Sequence, residues 1–327
     1  MTSYPISALA TLGLLAMAAV ATARPYINDK PAPQTRVDLE AIQSHLHRHL
    51  PAARAATVAI ELGEGSGTGV IISEDGLVLT AAHVSSGVDQ DLTVVMEDGT
   101  RHEAVSLGLV ASSDAAMVRI LGDGPFPFVE YDRTDSTRLG DWVFALGHSG
   151  GFFEDRGSVV RLGRLVRIAQ ATFQSDCMLI GGDSGGPLFD LDGRVVAIHS
   201  RVGPRLPENM HVPLREFLRH WDEMLAGEFI GQGPFAQQGE PGTGFLGLVG
   251  EPGEGGLEVL RLAENSPAEE AGIQVGDVIL TINGQHVPDR DTLREILAEM
   301  ASGQRLVVEL RRANGEKETL NFRLGAR

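Results

Sequence analysis

Cysteine is almost absent from this 327-residue sequence, and aromatic residues make up only 5% of it. With Cys177 as the single cysteine, no intrachain disulfide can form, so the fold must be held together by packing. We interpret Cys177 as a small buried hydrophobe and not as a redox switch, because the chain has no second cysteine to resolve an oxidised thiol. Hydrophobic residues reach 43%, so the cores are expected to be aliphatic.

Basic residues are also few. The chain has 27 Lys and Arg against 44 Asp and Glu, which gives a formal net charge of -17. An acidic surface repels phosphate backbones, and this argues against general nucleic-acid binding.

The beginning of the chain lacks charged side chains. The stretch from Ile6 to Ala23 is rich in Ala and Leu and ends in Ala21-Thr22-Ala23, an A-x-A cleavage pattern. We therefore predict a signal peptide over residues 1–23 and a periplasmic or secreted mature protein. No Lys or Arg precedes the apolar stretch, so the alternative is an uncleaved N-terminal membrane anchor facing outside the cytoplasm, since about 18 apolar residues can just span a bilayer.

An amphipathic helix is predicted over Val37–Leu50, within an N-terminal extension of residues 24–54. His45 and His49 are four residues apart and would share one face of it, which is a spacing used by metal sites. No carboxylate or cysteine ligand lies at a useful spacing, so we favour a solvated polar face. No metal and no cofactor are expected.

From residue 55 the apolar pattern changes to short alternating runs separated by turn signals such as Glu74-Asp75-Gly76. Many short strands at even spacing indicate a sandwich or a barrel. A helix is predicted over Pro213–Ala226, and the next stretch is rich in Gly, Pro and Gln. These changes divide the chain into a first domain at residues 55–226, a linker at 227–242 and a second domain at 243–327.

The segment from Gly181 to Gly186 around Ser184 is the strongest functional signal. Its glycines permit the tight turn that exposes a serine hydroxyl and leaves backbone N–H groups free to face an oxyanion. His83 follows one apolar strand, and Asp114 precedes another. The order His83, Asp114, Ser184 is that of chymotrypsin and not that of subtilisin or the α/β-hydrolases, so we predict a catalytic triad.

These segments resemble the HtrA branch of the trypsin-like serine proteases. The similarity also extends over Gly67-Thr68-Gly69, Thr80-Ala81-Ala82-His83, Asp114-Ala115-Ala116 and Ala145-Leu146-Gly147. It implies a mainly β protein, with a chymotrypsin-like double β-barrel followed by a small α+β PDZ domain. It also implies that Ser184 is the nucleophile, that His83 is the general base, that Asp114 orients His83, and that the N–H groups of Gly182 and Ser184 form the oxyanion hole.

Two features depart from that family. Asp183 stands where Asn is usual, and Gly147-His148-Ser149-Gly150 replaces the usual Gly-Asn-Pro. Digestive trypsins also have Asp before the serine, where it pairs with a new N-terminus after zymogen cleavage. Since this chain has no matching Ile-Val-Gly-Gly start near the barrel, that activation route is not expected.

In proteases of this fold, the segment before the serine forms one wall of the S1 pocket, which binds the side chain before the scissile bond. We predict that this pocket is lined by Met178, Leu179, Ile180 and, on the opposing strand, Ser200. No carboxylate is predicted at its base, so a substrate Lys or Arg would be buried unpaired. Cleavage is therefore expected after Val, Ala, Leu or similar residues.

The second domain contains Gly244-Phe245-Leu246-Gly247-Leu248, which resembles the carboxylate-binding loop of HtrA-type PDZ domains. We predict peptide binding by the loop residues Phe245, Leu246, Gly247 and Leu248. The helix Asp291–Met300 is expected to close the groove with Leu293 and Leu297. A strand starting near Leu257 is expected to offer the sheet edge to which a peptide adds.

Together, the resemblance implies an exported serine endopeptidase that cleaves misfolded or specific proteins, as in protein quality control, with a PDZ domain that binds the C-termini of substrates or partners. It also implies a possible homotrimer. The alternative is a non-catalytic PDZ scaffold with a protease-like barrel, against which the complete triad argues.

Overall fold

In the computed structural model, the described residues are 24–203, 208–236 and 239–326. The predicted signal peptide or anchor, residues 1–23, lies outside them. Within the described ranges, no helix is both long enough and apolar enough to cross a membrane.

The N-terminal extension forms a 3-10 turn, Tyr26–Asp29, and the helix α1, Arg36–Ala56. α1 begins at a capping box in which Thr35 and Asp38 bond each other's backbone N–H groups. The helix ends at Ala56, six residues after the predicted end at Leu50. His45 and His49 are half-buried against the loop of a later hairpin, with His45 Nδ1 3.0 Å from the carbonyl oxygen of Leu191. They are packing residues, so the expected solvated face is wrong for these two side chains.

The first barrel has six antiparallel strands in the order β5-β4-β1-β2-β3-β6 and closes through a β5–β6 pairing. Apolar side chains fill its interior, as the alternating pattern predicted. Its elements are β1 Thr57–Leu62, β2 Gly65–Ile71, β3 Leu77–Thr80, α2 Ala82–Ser85, β4 Asp91–Val95, β5 Arg101–Val110 and β6 Ala115–Ile120.

The second barrel is also closed and six-stranded, in the order β10-β11-β12-β9-β8-β7. A continuous core with residues from both barrels joins them, and it is aliphatic apart from a few rings such as the stacked pair Phe144 and Phe189. The elements are β7 Trp142–Gly147, β8 Val159–Ala169, β9 Thr172–Ser175, β10 Pro187–Asp190, β11 Val195–Val202, β12 Asn209–Pro213, α3 Leu214–Arg219 and α4 Trp221–Leu225.

Part of the predicted linker is bound to the first barrel. Residues Phe229–Ile230 form β13, which pairs in parallel with the end of β5. Phe235 and Ala236 then pack against Leu109 and Ala111 of the same barrel. The chain is therefore anchored to the barrel up to Ala236.

The C-terminal domain has a separate core and a six-stranded sheet, in which five strands follow the order β15-β16-β17-β19-β20 and β18 pairs with β17. β15 lies at the edge of this sheet, whereas β16 lies between β15 and β17. The expected edge near Leu257 is therefore wrong, because Leu257 belongs to β16. The elements are β14 Gly244–Phe245, β15 Leu248–Gly253, β16 Gly256–Leu262, α5 Pro267–Glu270, β17 Val278–Ile282, β18 Gln285–His286, α6 Arg290–Ala298, β19 Arg305–Arg311, β20 Lys317–Arg323 and β21 Gly325–Ala326.

Ion pairs connect the C-terminal domain to the first barrel. Arg305 pairs with Asp89 at 2.9 Å and also with Asp91, and Arg323 pairs with Asp91 at 3.0 Å. The two arginine side chains are about one-quarter exposed, whereas Asp91 is 69% exposed. We call this group the interdomain ion-pair cluster.

Candidate active site

His83 and Asp114 come from the first barrel and lie in direct contact. His83 is in α2, directly after β3, and Asp114 is in the turn between β5 and β6. Nδ1 of His83 lies 2.9 and 3.0 Å from the two carboxylate oxygens of Asp114, and the backbone N–H of His83 donates to the same carboxylate at 3.1 Å. Asp114 is fully buried and has a φ of 66°, a left-handed conformation that costs energy in a non-glycine residue. The contact fixes the tautomer and the ring orientation of His83.

Ser184 comes from the loop before β10, in the second barrel. Its backbone carbonyl accepts a hydrogen bond from the N–H of Thr68 at 2.7 Å, which ties the loop to the first barrel. Its hydroxyl donates to the carbonyl of Ser200 at 3.3 Å, and no hydrogen bond among the described residues joins that hydroxyl to His83. The next residue, Gly185, has a φ of 83°, and a Cβ there would lie 2.1 Å from the Thr68 oxygen, so a glycine is needed.

The backbone around Gly182, a predicted oxyanion donor, forms a turn from Ile180 to Asp183. Its closing bond runs from the Asp183 N–H to the Ile180 carbonyl at 3.1 Å, and Gly182 has a φ of 91°, which makes it a type II turn. The carbonyl of Gly181 accepts from the N–H of Gly150 at 2.7 Å. Since C=O and N–H point in opposite directions across a trans peptide, the Gly182 N–H faces away from Gly150.

Asp183 is fully buried beneath this turn. Its carboxylate accepts from the Ser149 hydroxyl at 2.6 Å and from the Ile180 N–H at 2.9 Å. It also pairs with Arg161 of β8 at 3.0 Å.

The predicted S1 residues have different environments. Leu179 and Ser200 are buried, whereas Met178 and Ile180 are more than half exposed. The hydroxyl of Ser200 donates to Asp114 and thus supports the candidate triad, and its place in the S1 pocket stays a prediction. Residues 204–207, which follow β11, are outside the described ranges.

Cys177 lies beside this segment and is 1% exposed. Burial raises the pKa of its thiol to about 12. A thiol with such a pKa is protonated at neutral pH and a poor nucleophile, in agreement with the predicted role of a buried hydrophobe.

Two histidines that sequence reasoning did not single out are buried in the second barrel. Nδ1 of His199 lies 2.9 Å from Nδ1 of His211, and Nε2 of His211 lies 2.7 Å from the hydroxyl of Ser175. Burial holds the pKa of His199 well below its ordinary value and lowers that of His211 to about 3. Both rings are therefore neutral at pH 7, and in the bond between them one Nδ1 donates and the other accepts.

The C-terminal domain contains a cavity of about 330 Å³ beside the predicted carboxylate-binding loop. It brings together three of the four predicted loop residues with the exposed cation Arg261, which was not predicted. Leu246 and Leu293 are buried in the domain core instead, and α6, which carries Leu293 and Leu297, packs beside β14 and β15. The cavity is lined by Phe245, Gly247, Leu248, Val249, Arg261, Leu262 and Ala263.

Comparison with known families follows the same division of the chain. Residues 67–198 match the family of the trypsin-like peptidase domain, and residues 258–312 match that of the PDZ domain. The chain therefore contains a trypsin-like peptidase domain followed by a PDZ domain. The predicted family and the predicted fold class are thereby confirmed.

Two curated relatives of this chain are named probable periplasmic serine endoprotease DegP-like. The protein from Ectopseudomonas mendocina (strain ymp) is 30% identical over 279 residues, which are 79% of this chain and 56% of the relative. The protein from Brucella suis biovar 1 (strain 1330) is 31% identical over 272 residues, or 80% of this chain and 52% of the relative. The chain thus spans about half the length of the curated relatives that it matches.

Solved structures with the same fold include a variant of the HtrA-type protease AlgW with tripeptide. The match has a TM-score of 0.50 and 23% identity, and it covers 88% of this chain and 97% of that chain. At this identity the likeness concerns the fold alone.

Several residues of the site were not predicted as functional. Thr68, whose hydroxyl donates to the Gly182 carbonyl at 2.7 Å, lies in a segment that was recognised only as a resemblance. Ser149 lies in the segment that departs from the family. Arg161 gave no sequence signal, because it is one of several arginines in and around β8. Only the packing of β8 against β7 shows that its side chain reaches Asp183.

Proposed function

We propose that this protein is a serine endopeptidase in which Ser184, His83 and Asp114 form the catalytic triad. The observation that carries the proposal is the coincidence of two features on one cleft. The buried Asp114 carboxylate orients His83, and the Gly182 N–H is directed outward from the turn that directly precedes the nucleophile. A histidine base oriented by an acid and an oxyanion-binding backbone are the two parts that acyl transfer by serine requires.

The reaction would begin with rotation of the Ser184 side chain from the Ser200 carbonyl toward Nε2 of His83, a tightening that is common on substrate binding. Ser184 Oγ then attacks the scissile carbonyl while His83 takes its proton. The backbone N–H groups of Gly182 and Ser184 bind the oxyanion, and His83 returns the proton to the leaving amine. Asp114, held by Ser200, stabilises the imidazolium that forms in between.

The first prediction concerns the triad. Ser184→Ala and His83→Ala should each lower peptide hydrolysis by about 10⁶-fold, and Asp114→Asn by about 10⁴-fold, because each removes a part that acts only in the transition state. A fluorophosphonate probe should label the wild type and not Ser184→Ala. Unreduced casein cleavage by Ser184→Ala would contradict the triad, and an unlabelled wild type would favour the scaffold alternative.

The second prediction concerns the substrate. We propose that small or medium aliphatic residues precede the scissile bond, since Cys177 and Leu179 present buried apolar groups before the serine. Asp176, the acidic residue next to Cys177, accepts from the Arg164 N–H at 2.6 Å and is directed toward β8. A peptide library should show cleavage after Val, Ala or Leu. Dominant cleavage after Arg, Lys, Asp or Glu would contradict the proposal.

We further propose that the PDZ domain binds peptide or protein C-termini, with the carboxylate near Phe245 and Gly247 and the peptide backbone along β15. β15 is the edge strand, and α6 lies beside it, which is the arrangement needed for strand addition. Misfolded or specific proteins would be both ligands and substrates. The homotrimer stays a prediction.

Export is proposed from residues 1–23 together with the names of the curated relatives, which describe those proteins as periplasmic. N-terminal sequencing of the protein purified from the cell would test it. A mature chain that begins close to Arg24 supports a cleaved signal peptide. A chain that still begins at Met1 and fractionates with membranes supports the anchor.

A further inference from the structure

The carboxylate of Asp183 is a buried charge directly before the candidate nucleophile. The residue is fully inaccessible to solvent. A buried carboxylate is strongly unfavourable unless a cation and hydrogen-bond donors compensate it. The position of these compensating groups therefore influences the conformation of the loop that carries Ser184.

The compensating cation is Arg161. It lies opposite Ala145 in the β7–β8 pairing, and its side chain is 18% exposed. Nη2 of Arg161 lies 3.0 Å from one oxygen of Asp183 and donates to the hydroxyl of Ser149 at 2.7 Å. That hydroxyl donates to the other oxygen of Asp183 at 2.6 Å. The three side chains form a closed cluster with one positive and one negative charge.

The same carboxylate holds the oxyanion turn. It accepts from the N–H of Ile180, the first residue of the turn, while Asp183 supplies the N–H that closes the turn. A type I turn in this segment would differ by rotation of the Gly181–Gly182 peptide, and it would direct the Gly182 N–H inward. The Gly150 N–H, next to Ser149 in the chain, bonds the Gly181 carbonyl and favours the observed orientation.

We propose that Arg161 is a positioning residue that keeps the oxyanion hole formed, by neutralising Asp183 and, through it, fixing the Ile180–Asp183 turn. The inference rests on the proposed peptidase function. In digestive trypsins the corresponding aspartate is paired only after zymogen cleavage, which releases the ammonium group of a new N-terminus. Here the cation is an internal side chain of β8, so the oxyanion hole forms on folding and needs no proteolytic activation.

The test compares single and double variants in the full-length protein. Arg161→Met leaves the buried charge of Asp183 without its cation. The kcat should fall about 10²–10³-fold, as for the loss of an oxyanion donor, with KM changed less than about threefold. Adding Asp183→Asn to Arg161→Met removes the stranded charge but keeps an acceptor for the Ile180 N–H. The double variant should regain at least about tenfold in kcat over Arg161→Met.

The matched control is Arg164→Met, three residues along the same strand. Arg164 bonds the carbonyls of Gly140 and Lys30 and not the Asp183 cluster, so kcat should stay within about twofold of wild type. Should Arg161→Met fail to fold, Arg161→Gln, which removes the charge but keeps a polar side chain, should give reduced kcat at nearly unchanged KM.

The outcomes separate this inference from the proposed function. A wild type that no fluorophosphonate labels would remove the peptidase proposal itself. If the wild type is labelled, the inference alone is overturned by full kcat in Arg161→Met, or by a double variant no more active than the single one. A kcat for Arg161→Gln equal to wild type would likewise overturn it.

Discussion

At the scale of single residues, the buried pair His199 and His211 makes the stability of the second barrel depend on pH. Burial lowers both pKa values in the folded state, that of His211 to about 3, whereas an unfolded histidine has a pKa near 6.5. Between these values the unfolded chain binds more protons, so stability falls as pH decreases below about 6.5. Between pH 7.5 and 5.5, each histidine should cost about 1 kcal/mol of the free energy of unfolding.

Urea unfolding of Ser184→Ala, which avoids autolysis, would measure this loss at the two pH values. The control variant replaces both histidines by leucine in the same background. Between the two pH values, this variant should lose less of its free energy of unfolding than Ser184→Ala does, and the difference should be about the contribution of the two histidines. An equal loss in both proteins would mean that His199 and His211 do not cause the pH dependence.

The residues of the candidate triad could be predicted because each lies in a short segment whose chemistry is local. The supporting residues could not. Ser200 was expected in the S1 pocket, yet its hydroxyl turns to Asp114, because side-chain direction in β11 depends on a register shift between His199 and Arg201. Glycine and serine patterns in the sequence do not specify such a bulge.

At the scale of elements, the edge strand β15 and the cation on its neighbour β16 define the PDZ prediction. Arg261 lies opposite Val249 of β15 and lines the cavity beside Phe245. A peptide ending in Val or Leu should bind Ser184→Ala more tightly as the free acid than as the amide. Arg261→Gln should weaken binding of the acid roughly threefold to fivefold, since an exposed charge pair contributes up to about 1 kcal/mol.

Fluorescence anisotropy with labelled peptides would measure these affinities. Arg311→Gln is the matched control, because Arg311 lies on β19 and bonds the Glu254 carbonyl away from the cavity. Equal affinity for acid and amide would mean that the loop does not bind a carboxylate.

Strand order explains why the PDZ groove was only partly predicted. The loop around Gly247 carries a recognisable pattern, and its φ of 84° needs glycine. The assignment of the edge to the strand of Leu257 was wrong, because alternation predicts a strand but not its neighbours. The pairing of β16 with β17 decides which of the two consecutive strands β15 and β16 lies at the edge, and the pattern within each strand does not specify this pairing.

At the scale of the whole molecule, the interdomain ion-pair cluster predicts a docked PDZ domain that salt can release. Asp91 pairs with both Arg305 and Arg323, so Asp91→Asn removes two contacts at once. Exposed ion pairs are weak and are screened by salt, so the radius of gyration should be larger for Asp91→Asn than for the wild type. The radius of the wild type should also increase when salt is raised from 50 to 500 mM, which shortens the Debye length from about 14 to about 4 Å.

Small-angle scattering would measure the change, with the exposed Asp123→Asn of the same barrel as the control. A radius that is the same for Asp91→Asn, the control and the wild type at both salt concentrations would show that the ion pairs do not hold the domains together.

The anchoring of the chain by β13 and Ala236 limits how far such a release can go. From Ala236 to the start of β14 at Gly244 the chain advances only eight residues, which reach at most about 28 Å when fully extended. An undocked PDZ domain would therefore explore a volume in which its local concentration stays in the millimolar range. A peptide captured there remains within a few nanometres of the barrel, so a weak ligand can be presented to the cleft many times before it escapes.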